Sequence, residues 1–175
     1  TGKLFAAPFD CLCPFTTVEQ WLRLGVCNPP AVSKLGIKLN FGKPANDSIG
    51  LKGTLAVPDG FAVGGATLEV SIGGVVKTFT LDAKGKATVG TDQAKLAVKA
   101  KKGVVAAQDA KLSIKLSKGS FASSLSDDGL VNATVTNVAL SVPVEIEFNG
   151  TMYAKAHAQT YSAKAGKSGS AKNPK

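Results

Sequence analysis

Apolar and polar residues alternate with a period of two through most of this chain, starting at Lys34. In residues 34–41, Leu35, Ile37, Leu39 and Phe41 fall on one side, and Gly36, Lys38 and Asn40 on the other. Successive side chains of a strand point to opposite faces, so this stretch predicts a strand with one buried and one wet face. After an irregular loop, Ile49, Leu51, Gly53, Leu55 and Val57 alternate in the same way with Gly50, Lys52, Thr54 and Ala56. The strand–loop–strand pattern recurs in 111–116, a polar loop ending at Asp127-Asp128, and 130–135. The expected fold is all-β: an antiparallel β-sandwich built from an internally duplicated strand–loop–strand unit, with copies near 34–100 and 111–163.

Turn residues punctuate the remaining strands. Gly73-Gly74 separates the alternating segments 67–72 and 75–81 and suits the two positive-φ positions of a tight hairpin. Asn149-Gly150 separates 144–148 from 151–153 in the same manner. Pro143 belongs at an edge or a bend, because it has no amide to give to a ladder. The last strand carries Ala154, Ala156 and Ala158 on one side and Lys155, His157, Gln159 and Tyr161 on the other. From Ser162 the chain turns to Ala, Lys, Gly, Ser and Pro with no apolar period, so 164–175 reads as a basic flexible tail.

Residues 1–33 form a different kind of segment, an N-terminal arm. Pro8 and Pro14 interrupt it, and Thr16-Thr17-Val18-Glu19 matches a capping box that opens a short helix over about 17–24. A helix of two turns is not stable alone in water. It must dock, and Leu4, Phe5, Phe9, Phe15 and Trp21 are its candidate assembly contacts. The three cysteines, Cys11, Cys13 and Cys27, all lie in this arm. Cys11 and Cys13 are too close to pair without strain, so the expected disulfide joins Cys11 or Cys13 to Cys27 and leaves one thiol over. The three thiolates lack a fourth metal ligand, because the single histidine, His157, is far away in sequence.

Composition changes this picture in two respects. The net charge of +9 comes from 20 Lys and the single Arg23. Lysine is a hydrated point charge without the planar fork of arginine, and most lysines sit at solvent-facing positions of the alternation. The expectation is a solvated face with weak polyanion or surface contact, and no specific nucleic-acid recognition. No run of 18 apolar residues exists, so no transmembrane helix is expected. The chain begins at Thr1 without Met, which fits a processed, secreted protein.

Candidate chemistry is sparse. None of the nucleophile-elbow, zinc-protease or phosphate-loop patterns occurs, and Glu145 and Glu147 have the i, i+2 spacing of an ordinary wet strand face. No enzyme activity and no bound cofactor are expected. Calcium prefers oxygen-rich loops, which makes Asp47, Asp127 and Asp128 weak candidates for it, although Asp is also a favoured turn residue. Asn46, Asn132 and Asn149 open glycosylation-type triplets. The function that follows is a structural subunit of an extracellular assembly (filament, sheath or surface layer). It would polymerise through its terminal extensions as a homo-oligomer. The alternative is a secreted adhesion or carbohydrate-binding β-sandwich module.

Overall fold

A computed structural model describes residues 29–101 and 104–174. It is nearly all antiparallel β-structure. The strands are β1 (Ala31–Asn40), β2 (Asp47–Val57), β3 (Thr67–Ile72), β4 (Val75–Thr80), β5 (Lys86–Val89), β6 (Asp92–Ala97), β7 (Ala100–Lys101), β8 (Val104–Val105), β9 (Gln108–Gly119), β10 (Val135–Phe148), β11 (Thr151–Lys164) and β12 (Ser168–Lys172). One helical turn, α1 (Ala122–Leu125), interrupts them.

Ten strands form one continuous sheet in the order β4-β3-β10-β11-β12-β1-β2-β9-β6-β5, and β7 and β8 pair separately. The sheet curls until its edge strands β4 and β5 lie close together. Lys77 of β4 reaches across this seam to the buried carboxylate of Asp92 at the start of β6, at 3.0 Å. The period-two pattern is satisfied by a single near-closed sheet as well as by two facing ones, because both bury one face of every strand.

The inward face is the core. Leu35, Ile37, Leu39, Ile49, Leu51, Leu55, Leu112, Ile114 and Leu116 point into it from β1, β2 and β9, as the alternation requires. Tyr153 and Tyr161 are fully buried, and each spends its hydroxyl on a carbonyl: Tyr153 Oη donates to Ala56 O at 2.6 Å and Tyr161 Oη to Val131 O at 2.8 Å. A buried hydroxyl without such a partner would be costly. On β11 the face carrying Tyr153, Gln159 and Tyr161 is therefore the interior one, and Ala156 and Ala158 lie outside. Crossing loops plug both ends. Phe61, Val63 and Val105 close one, with Phe61 edge-on to Phe148 at 5.1 Å between centroids. Phe121, Leu125 and Leu130 close the other.

The two hairpin turns form as expected, with positive φ at both central residues: 54° and 77° at Gly73 and Gly74, 50° and 75° at Asn149 and Gly150. Pro143 sits one residue beyond the last β3 partner, Val144 opposite Ile72, and its carbonyl accepts Gly73 N of the β3–β4 turn at 2.9 Å. The two segments read as copies share a pattern without sharing pairing. β1 and β2 form a hairpin, whereas β9 pairs with β2 and β6, and residues 130–134 form no strand.

The expected C-terminal tail needs correction. Residues 168–172 are β12, inserted between β11 and β1 and paired with both. Gly169 and Ala171 point inward beneath Tyr161, while Ser168, Ser170 and Lys172 point out. The alternation is present, but its inward residues are too small to register as hydrophobic. Of the N-terminal arm, residues 1–28 lie outside the described part of the chain. So do the expected short helix, the disulfide between Cys11 or Cys13 and Cys27, and the contacts at Leu4, Phe5, Phe9, Phe15 and Trp21.

Candidate functional site: a lysine-framed sheet face

The outward faces of β12, β1, β2, β9, β6 and β5 form one continuous surface whose rows follow from the strand register. One row runs Lys172, Gly36, Gly50, Lys115, Gln93, Thr88. The next runs Lys34, Lys52, Ser113, Lys95, Lys86. Lys38 lies two residues beyond Gly36 on β1, and Lys111 two beyond Ser113 on β9. All of these lysines are exposed. The alternation put them outside one at a time; the strand order brings them side by side.

The centre of this face is hollow. Gly36 and Gly50 are direct cross-strand partners, and a Cβ on either would have nothing within 4 Å. An open recess of about 750 Å³ lies over them, with Lys34, Lys38, Lys115, Lys172, Ser48 and Ser170 around it. No acidic and no aromatic side chain lines it. A second recess beside it collects Lys52, Lys95, Lys111 and Lys155.

The described glutamates lie half-way round the ring, whereas Asp109 is exposed on β9 beyond Lys111, at the end of the lysine-bearing face. β3 and β10 stand five places from β2 and β9 in the ten-strand order, on the opposite side of a near-closed sheet. There Glu69 pairs with Glu147 across β3 and β10, and Glu145 lies opposite Ser71. Thr78 Oγ1 donates to Glu69 at 3.0 Å. Burial pushes the Glu145 carboxyl above its ordinary range. Glu145 and Glu147 thus lie on a wet strand face, as expected, and belong to an acidic patch that sequence spacing alone did not reveal.

The calcium candidates are placed separately. Asp47 is buried, and both its oxygens accept backbone amides: Oδ1 from Asn40 N at 2.7 Å, Oδ2 from Phe121 N at 2.7 Å and Ala122 N at 3.2 Å. These bonds give Asp47 a structural task, tying the β1–β2 turn to the plug that holds α1. Asp128 is pushed up by burial and by the neighbouring Asp127 charge. Among the described residues no three His, Cys, Asp or Glu side chains converge as metal ligands.

His157 belongs to a polar knot where β12 ends and the wall between β11 and β1 would otherwise part. Asn173 Oδ1 accepts Leu35 N at 2.9 Å and contacts His157 Nε2 and Gln159 Nε2 at 3.3 Å, while its amide donates to Ser33 O at 3.1 Å. Among the glycosylation-type asparagines, Asn132 Oδ1 accepts Gly166 N at 2.8 Å and Asn149 forms the hairpin turn. No described helix is long and apolar enough to cross a membrane. Comparison with protein-family models, curated proteins and solved structures yields no match.

Proposed function

We infer that the protein is a non-catalytic structural subunit of an extracellular assembly, stacking head to tail through oppositely charged faces of its sheet. The observation that carries this reading is the placement of the lysine rows and the Glu69–Glu147–Glu145 patch on opposite sides of one ring. A contact between unlike faces leaves each face free on the terminal copies, so growth continues until something closes it. Complementary potentials also steer the encounter and fix which faces meet. In this reading Leu4, Phe5, Phe9, Phe15 and Trp21 add an apolar contact beside the charged one.

A charge-swap pair tests it. In one variant Glu69→Lys and Glu147→Lys make both faces basic; in the other Lys34→Glu, Lys52→Glu, Lys86→Glu, Lys95→Glu and Lys111→Glu reverse the balance of the lysine face and make both acidic. Each alone is expected to stay monomeric in sedimentation, and an equimolar mixture to assemble. A folded mixture that stays monomeric under conditions where the wild type assembles, or a wild type monomeric at low salt, defeats the proposal. A second reading, a secreted module that adheres to a carbohydrate surface, is favoured by the hollow over Gly36 and Gly50.

A further inference from the structure

We propose that the hollow over Gly36 and Gly50 is a binding cradle for an extended acidic polysaccharide, its carboxylate or sulfate groups held by Lys34, Lys38, Lys115 and Lys172. This rests on the second reading above, that the basic face takes a ligand, and names the ligand's class and seat.

Two independent observations meet here. The first is the frame. Lys34 and Lys38 flank Gly36 along β1, about 13 Å apart by the strand rise. Lys172 and Lys115 flank the glycine pair along their row, about 14 Å apart across three strand spacings. Four cations thus surround a floor with no acidic side chain between them. The second is the floor. Neither glycine has a positive φ, and neither would meet a neighbour if it carried a side chain. The fold therefore makes no demand for glycine at these two places. Glycine weakens a strand interior and often marks a bulge, a bend at a barrel corner or a site where a ligand or another backbone approaches closely, and no register shift falls at Gly36 or Gly50.

The lining selects the ligand. Ammonium groups hold anions as point charges and impose no planar geometry. Ser48 and Ser170 add hydroxyls suited to a polyhydroxylated chain. Without an aromatic side chain the cradle offers no stacking platform to unpaired bases. A bare backbone floor seats a ribbon-like chain of sugars with anions along its edges.

The test titrates the full chain by calorimetry at physiological salt against four polymers: heparin, polygalacturonate, neutral dextran and polyphosphate. Binding to heparin or polygalacturonate but not to dextran is expected. Gly36→Val and Gly50→Val should each weaken it by about tenfold or more, the loss expected from one displaced charge-assisted contact. Both variants should melt no lower than the wild type, because valine suits an exposed strand position. The pair Lys86→Gln with Lys95→Gln, on the same face outside the frame, should change affinity by less than about threefold, as rim charges do. If valine at the floor leaves affinity intact, or only the Lys86/Lys95 pair matters, the cradle is wrong while the binding reading stands. If polyphosphate binds as tightly as the polysaccharides, or if all binding vanishes at physiological salt, the ligand class is wrong. If no anionic polymer binds at any salt, the binding reading falls with it. Loss of wild-type assembly with retained polymer binding removes the stacking proposal alone.

Discussion

A Cβ placed on Gly169 would overlap the Tyr161 ring and hydroxyl, whereas one placed on Gly50 would enter open solvent. Gly169→Ala is therefore expected to destabilise by about 1–3 kcal/mol through overpacking. Gly50→Ala should gain about 0.5–1 kcal/mol from reduced chain freedom. Thermal melting of the pair distinguishes them, and equal effects would contradict both packing environments. Glu145 provides a titration test. Burial raises its pKa above the ordinary 4.5, so the native state holds this proton more tightly than the unfolded chain does. Stability from this group then falls as pH rises from that value through the raised one, and its charged form is a net cost at neutrality. Glu145→Gln should raise the melting temperature at pH 7, and the gain should shrink on acidification. A pH-independent gain would mean that the charge is not the cause. None of this was legible in the sequence, where glycines on both faces and carboxylates on wet strands look alike.

At the scale of elements, hydrophobic alternation located β1, β2, β3, β4, β9 and the β10–β11 turn, because each buries large residues at every second position. It missed β12 because Gly169 and Ala171 do the same with almost no side chain. That strand depends on its C-terminal anchor. Asn173→Ala would leave the Leu35 amide without its acceptor in a partly buried wall and take one of two acceptors from the Gln159 amide, which keeps Ala158 O. A cost of about 1–3 kcal/mol is expected, with faster amide exchange along β12 and the start of β1. Exchange unchanged there would show that pairing with β11 and β1 holds the strand unaided. The loop holding α1 was read as polar and calcium-like. Its aspartate partner, Asp47, instead holds three backbone amides, a role that spacing could not show because those amides come from elements on both sides of it.

Across the whole molecule, the order of strands decides what the lysines and glutamates mean, and strand order is the property that period-two alternation leaves open. Most of the lysines were readable as solvent-facing; their convergence on one side and the glutamates on the other required the ring. The proposed stacking contact would inherit the chemistry of its acidic half. As pH falls through the raised range of Glu145 that residue loses its charge, and the assembly is expected to weaken while the sheet remains folded. Raising salt at neutral pH should do the same, since exposed charges are screened over about 8–10 Å at ordinary ionic strength. Light scattering beside circular dichroism reads both, and scattering that persists through both changes would mean that apolar contacts dominate.

Pro143 sets a limit on how copies can join. It stands at the end of the β3–β10 ladder, where its carbonyl accepts Gly73 N at 2.9 Å and it has no amide to offer in return. A few residues on, the register of β10 against β11 slips between Val135 and Val138, with Asn137 at a φ of 53°. The part of β10 that extends past β3 thus begins beside a missing donor and is bent at its far end. An incoming strand could not zip onto it as amyloid and donor-strand polymers do. Fibres of this protein would accordingly show the spacing of stacked rings along their axis, not the 4.7–4.8 Å repeat of strands added edge to edge.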